Sequence, residues 1–233
     1  MPLQPQADSV AKIVPLVFGR SCNLTLTSQM MTHIRKEEKL DDTILDCGGG
    51  VSVRKHHLSD AVSCSRHANN RNVWLNLRDR FPHPYTEDSA LSWIKHCQSA
   101  DSHAFSGAWS DEGGATGPRV PTQYAIVING EAVGAIGLDF GSDVYFRTAE
   151  LGYWLSEDHW GKGVMGRVVR AFTTWSWQTF DILVRLNAEV VATNIASTTL
   201  LERAGFEYEG RRRNAVCKVG VMQDVLIFGA LRP

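Results

Sequence analysis

The sequence predicts an α+β fold, a mixed central sheet flanked by helices, and three observations carry that expectation. First, the runs Tyr124–Ile128 and Ala132–Asp139 flank Asn129-Gly130, a strong short hairpin signal, and Thr148–Leu155 adds a third strand in antiparallel order. Second, a helix from about Gly163 to Thr179 puts Val164, Val168, Phe172 and Trp175 on one apolar stripe. Third, that helix is followed by Leu186–Ala192, apolar and β-branched in the manner of an interior strand.

The other elements fall around this centre. Val51–Arg54 reads as a strand, and Ser59-Asp60 starts a helix running to about His67. A polar stretch, Asn69–Leu75, leads to the breaks at Pro82 and Pro84. Thr86 then caps a second helix, with Glu87 and Asp88 in its first turn. The glycine-rich stretch Asp111–Pro118 reads as a loop. Asn194 caps a short helix that Gly205 ends, and Phe206–Arg211 with Met222–Phe228 form a closing strand pair. The order is β-α-α-β-β-β-α-β-α-β-β over residues 51–233.

Residues 1–50 differ in texture and read as an N-terminal extension, an added lobe or an arm. Two β-like runs (Ile13–Phe18 and Leu24–Thr27) precede a weak helical pattern with Met30, Met31 and Ile34. Arg35–Asp42 mixes charges as a solvated face does, and Gly48-Gly49-Gly50 reads as a linker or sharp turn.

Composition narrows the function class. The chain has 233 residues, 43% of them hydrophobic, with 24 basic against 25 acidic side chains and a net charge of −1. That balance argues against bulk attraction to nucleic acid or membranes. The longest apolar run is Ile13–Phe18, far short of the roughly 18–20 residues of a membrane-spanning helix. No secretory signal is read, and five scattered cysteines without a C-x-x-C fit free thiols in the cytoplasm. No histidine spacing suggests a metal site, so no metal is expected.

The most informative stretch is Gly161-Lys162-Gly163-Val164-Met165-Gly166. It opens the long helix, and glycines there let backbone N–H groups approach an anion at the favourable end of the helix dipole. A pyrophosphate cradle and a glycine-softened helix start both fit. The stretch also satisfies G-x-G-x-x-G, but Ser156–Trp160 separate it from a strand that belongs to an antiparallel meander, which disfavours a dinucleotide fold.

Ala149-Glu150-Leu151-Gly152-Tyr153-Trp154-Leu155, then His159-Trp160-Gly161-Lys162-Gly163, resembles the GNAT acyl-CoA N-acyltransferases. Asn194-Ile195-Ala196-Ser197 and Glu202-Arg203-Ala204-Gly205-Phe206 are similar to the N-x-x-S…E-x-x-G-F segment of the RimJ/RimL-like ribosomal-protein N-acetyltransferases, and Asp224 before Val225–Phe228 to their last strand. The likeness covers roughly residues 51–230. It implies a splayed sheet holding acetyl-CoA, as co-substrate, between the Thr148–Leu155 and Leu186–Ala192 strands. The cofactor-binding residues it implies are Trp154, Leu155, Gly161, Lys162, Gly163, Val164, Met165, Gly166, Asn194 and Ser197. Trp160 stands where the family has Gln or Arg, and Met165 where it has a small residue.

Acetyl transfer needs a base for the ammonium and an acid for the leaving thiolate. The resemblance implies Glu150 as base, and a solvent-facing strand carboxylate is its bland alternative. Ser197 is implied as the group at the thiol, with water or Tyr153 behind it. The tyrosine acid of many family members would fall at Leu201, and a carboxylate proposed for RimL-like proteins at Val216, so both are missing. Substrate recognition is expected in the segment holding Asn69, Asn70, Arg71, Arg78, Arg80, Phe81, His83 and Tyr85, with Asn70, Arg78, Phe81 and Tyr85 singled out. A polar surface reads as well there. Arg211-Arg212-Arg213 fits either an acidic partner or a solvated strand end. The expected activity is transfer of an acetyl group to a primary amine, a protein N-terminus or a small molecule, by a monomer or homodimer. A silent acyl-CoA sensor on the same fold is the alternative.

Overall fold

The structure is a computed structural model that describes residues 42–111 and 114–233. The β-like runs and the helical pattern expected before Arg35 lie outside the described residues.

Thr43–Asp46 (β1) and Val51–Arg54 (β2) form an antiparallel hairpin about the turn Cys47–Gly50. The chain therefore enters the sheet before the glycine triplet. A single helical turn at Leu58–Asp60 leads into Ala61–Ala68 (α1), followed by Arg71–Leu75 (α2) and Glu87–Gln98 (α3). Thr86 caps α3 as expected, its hydroxyl accepting from the Ser89 N–H at 3.2 Å.

His103–Phe105 (β3) pairs with Arg119–Pro121 (β6), and Trp109–Ser110 (β4) with Gly114–Ala115 (β5). The stretch Asp111–Pro118, expected to be a loop, thus carries β5 and is flanked by β4 and β6, runs of two or three residues that periodicity cannot announce. The meander Gln123–Ile128 (β7), Glu131–Phe140 (β8) and Thr148–Leu155 (β9) follows. Positive φ at Asn129 (51°) and Gly130 (89°) makes the tight turn between β7 and β8.

Val164–Thr179 (α4) crosses over to Arg185–Val191 (β10), then come Ile195–Arg203 (α5) and the hairpin of Glu207–Lys218 (β11) and Val221–Leu231 (β12). The eight-stranded sheet runs β1-β2-β7-β8-β9-β10-β12-β11. Its neighbours are antiparallel except β9 and β10, which are parallel and need the helical crossover that α4 supplies.

At β7 both faces of the sheet are covered. Tyr124 and Ile126 point into the cluster holding Val168 and Phe172 of α4, while Ala125 and Val127 point at Ala61, Cys64, Ala90 and Ile94 of α1 and α3. A period of two, buried on both sides, gives the continuous apolar run that made this strand readable. Among the described residues, Cys47, Cys64, Cys97 and Cys217 are free thiols, and no helix is long and apolar enough to cross a membrane.

Candidate active site

The site is made by a ladder that stops early. β9 and β10 pair at Thr148–Arg185, Ala149–Leu186 and Glu150–Asn187, and then separate. Beyond that point β9 stays with β8 as far as Leu155, and β10 stays with β12 as far as Val191. Two cavities open around the gap, of about 700 and 790 Å³. Asn76, Leu77, Tyr153 and Trp154 line both, so the two meet at the split.

The smaller cavity is walled by Leu155, Gly161, Gly163, Val164, Met165 and Gly166 on one side and by Asn194 and Ser197 on the other. Gly161 and Gly163 both sit at φ +70°, and a Cβ on either would meet nothing within 4 Å. Backbone conformation, then, is what calls for glycine there. Gly163 is the N-cap of α4 and has no side chain with which to cap that end, and the first-turn N–H groups of a helix have no intrahelical partner. Arg170 and Arg203 line the same cavity. Open amides, a helix N-terminus and two guanidinium groups are a donor set suited to a diphosphate. The Trp160 indole donates to the Leu155 carbonyl at 2.8 Å, tying the loop to the end of β9.

At the split, the Tyr153 hydroxyl lies 2.7 Å from Ser197 Oγ. Burial pushes the Tyr153 phenol up to about 12 against the pull of that hydrogen bond, so it carries its proton at neutral pH. Asn194 caps α5, its Oδ1 accepting from the Ser197 N–H at 3.1 Å, which fixes where the serine stands.

The larger cavity has an ionic floor. Glu150 is directly opposite Asp139 on β8, and Glu189 lies two residues beyond its β10 partner Asn187, so three carboxylates share one face. All three line the cavity. Arg78 bridges Glu150 and Glu189, Arg80 meets Asp139 at 2.7 Å, and Arg212 meets Glu189 at 2.7 Å. Burial raises the Glu150 carboxyl above its ordinary value; Arg78 opposes this, and Glu189 and Asp139 add to it. Over the floor, Phe81 packs at 4.6 Å from Tyr85 and 5.7 Å from Trp154.

The Acetyltransferase (GNAT) domain family matches residues 51–207. The chain belongs to that family. Among curated relatives it is similar to the probable N-acetyltransferase YjcK of Bacillus subtilis, 37% identical over 87 residues, which are 37% of this chain and 48% of that one. The uncharacterized N-acetyltransferase YoaA of the same organism is 29% identical over 103 residues, 44% of this chain and 57% of that one. The match thus spans about half the length of these relatives. Among solved structures, RimL, a ribosomal L7/L12 alpha-N-protein acetyltransferase in complex with coenzyme A, superposes with a TM-score of 0.65 at 17% identity. It covers 82% of this chain and 98% of its own. The spermidine N-acetyltransferase of Vibrio cholerae, in complex with CoA and spermine, gives 0.61 at 19% identity over 79% of this chain and 97% of its own.

Within this GNAT domain the expected residues separate into three groups. Trp154, Leu155, Gly161, Gly163, Val164, Met165, Gly166, Asn194 and Ser197 all line the smaller cavity, and Glu150, Arg78, Phe81 and Tyr85 the larger. Lys162 and Asn70 line neither. The Lys162 ammonium donates to the Asp158 carbonyl at 2.6 Å. Asn70 caps α2, accepting from Asn72 and Val73 N–H groups, and donates to Glu157 at 2.7 Å.

Sequence reasoning did not single out Asp139, Glu189, Arg170 or Arg203. Arg170 had a readable signal, four residues beyond Gly166 on the same helix face. The two carboxylates had none, because only strand register brings them beside Glu150. Two members of the triplet Arg211-Arg212-Arg213 are engaged internally, Arg211 with Asp224 and Arg212 with Glu189.

Proposed function

We propose that this chain is an acetyl-CoA-dependent N-acetyltransferase that transfers the acetyl group directly to a primary amine in a ternary complex. The observation that carries this reading is the early end of the β9–β10 ladder. It leaves a glycine loop suited to an anion and a carboxylate of raised pKa on two cavities that share Tyr153 and Trp154, which supports the reading.

The backbone amides of Gly161 and Gly163 to Gly166, with Arg170 and Arg203, hold the diphosphate of the donor. Bound acetyl-CoA supplies the thioester. Glu150, directly or through water, takes the proton that the acceptor's ammonium must lose before its nitrogen bonds to the carbonyl carbon. The nitrogen, cationic after attack, sheds its second proton to water as the C–S bond breaks, while the Tyr153–Ser197 pair hands a proton to the sulfur and is reprotonated from solvent. This pairing supplies the acid that Leu201 and Val216 cannot.

The named neighbours acetylate partners as different as a ribosomal protein and a polyamine, so the family alone leaves the acceptor open. The test is release of free CoA thiol from acetyl-CoA across a panel of amines, alongside thermal stabilisation by acetyl-CoA, CoA and NADH. A donor at about 100 times its dissociation constant adds about 2.7 kcal/mol of stability. Stabilisation by acetyl-CoA with no amine acetylated would favour an acyl-CoA sensor, and stabilisation by NADH alone would refute the donor. A stable acetyl-enzyme seen by intact mass would refute direct transfer.

A further inference from the structure

The charges on the floor of the larger cavity define the acceptor's chemistry. One nitrogen, Arg78 Nη2, lies within reach of Glu150 Oε1 and, at 3.3 Å, of Glu189 Oε2. A primary ammonium has three N–H donors and satisfies both carboxylates from that same point. Arg78 therefore occupies a point from which an ammonium would reach the same two carboxylates. Its side chain is 50% exposed, so leaving the two carboxylates for solvent or a ligand costs it little.

Displacing Arg78 has a consequence. Arg80 is held by Asp139 and Arg212 by the far oxygen of Glu189, so the floor carries three carboxylates matched by three arginines. Asp88 adds a fourth carboxylate on the helical wall, in the first turn of α3, where the helix N-terminus offsets it. A purely cationic acceptor that takes the Glu150–Glu189 position leaves the half-exposed Arg78 guanidinium to solvent alone. An acceptor with a carboxylate carbon two or three bonds from its amine nitrogen gives it a partner, and a guanidinium binds that carboxylate in two parallel hydrogen bonds.

The segment bearing Arg78 is anchored independently. Lys218, 7% exposed, donates to the Leu77 carbonyl at 2.9 Å, pairs with Asp79 at 2.6 Å and lies 3.9 Å over the Trp74 ring. These contacts hold the segment's backbone without using the Arg78 side chain.

We infer that the acceptor is a zwitterionic amino compound, an α-amino acid or close derivative with an apolar or aromatic side chain, and that Arg78 is its specificity-determining residue. This rests on the N-acetyltransferase reading above. Ammonium and carboxylate of the acceptor take over the two halves of the Glu150/Glu189–Arg78 bridge, and Phe81, Tyr85 and Trp154 receive the side chain.

The experiment measures kcat/KM of the full chain with saturating acetyl-CoA for phenylalanine, leucine and methionine, for their amides, and for spermidine. At least one free acid is expected to exceed its amide and spermidine by about tenfold or more. Arg78→Met should bring that acid-to-amide ratio near one with the acetyl-CoA dissociation constant unchanged, and Arg78→Lys should restore part of it. Equal rates on acids and amides, preference for spermidine, or a ratio that survives Arg78→Met overturns the inference while leaving the N-acetyltransferase reading intact. Acetyl-CoA binding with no transfer to any of these amines overturns both.

Discussion

On the proposed donor side of the β9–β10 opening, the groups that face the ligand are mostly backbone amides, and one short segment, Gly161–Gly166, supplies most of them. On the proposed acceptor side they are side chains, and β8, β9, β10, β11 and the segment after α2 each contribute a charge. A backbone-built site tolerates most side-chain changes but fails when the dihedrals change. A site of paired charges keeps its shape under mild dihedral strain and fails when one charge is lost, because the partner is left uncompensated. The two cavities should therefore answer to different substitutions and different kinetic constants.

The largest contrast is expected at Glu150. Replacing it by Gln keeps shape and removes the base, so turnover should fall about 10²–10⁴-fold with the acetyl-CoA dissociation constant unchanged. The pH profile sharpens this. The deprotonated carboxylate is the active form, so activity is present above its pKa and lost as pH falls through it. Burial raises that pKa, so the acidic limb of kcat/KM should lie above the ordinary glutamate range of about 4.3 and should vanish in Glu150→Gln. Arg78→Met removes the attraction that holds the pKa down, so the limb should move further up. A profile identical in the wild type and Glu150→Gln excludes Glu150 as the base.

Next in size is the hydroxyl pair at the meeting of the two cavities. Tyr153→Phe and Ser197→Ala each interrupt one proton path, and each should lower turnover by about tenfold or more. Because the groups are 2.7 Å apart and act as a unit, the double variant should be little worse than either single one. Losses that multiply in the double variant would show that they act separately.

On the donor side the expected signature reverses. Gly163→Ala forces a Cβ into a left-handed conformation at a cost of about 1–2 kcal/mol, with no steric clash to confuse the reading. The loop relaxes by moving its amides. The acetyl-CoA dissociation constant should rise about tenfold, a loss of about 1.4 kcal/mol, while turnover at saturating donor stays within about twofold. A fall in turnover with unchanged affinity would remove the loop from donor binding.

The same division decided what could be read from the sequence. The turn at Asn129-Gly130, the limits of β9, the stripe on α4 and the cap at Asn194 each depend on local chemistry within a few residues, and all four were legible. So were the glycines of the loop. β1 was not, since four residues with one charge carry no period, nor was α2, whose five residues show only the capping Asn70. The charged floor of the larger cavity was legible only at Glu150, Arg78 and Arg80. Asp139 and Glu189 look like ordinary strand acids until register sets them beside Glu150. Lys218 reaches Asp79 across 139 positions of chain, a pairing no local pattern encodes.

The smallest expected effect compares two asparagines that look alike in sequence. Asn70 and Asn194 both precede short helices and both accept first-turn N–H groups, so replacing either by Ala should cost about 1 kcal/mol, or roughly 2–4 °C in Tm for a chain of this size. Asn70 also loses its bond to Glu157, so its stability cost should be the larger of the two. Only Asn194 lines the smaller cavity, the proposed donor site, and places Ser197 beside Tyr153. Asn194→Ala should therefore weaken acetyl-CoA binding as well as stability, whereas Asn70→Ala should lower Tm with donor affinity intact. Equal effects on affinity from the two would mean that the cap at α5 serves the helix alone, and that the donor is held by the α4 side of the cavity.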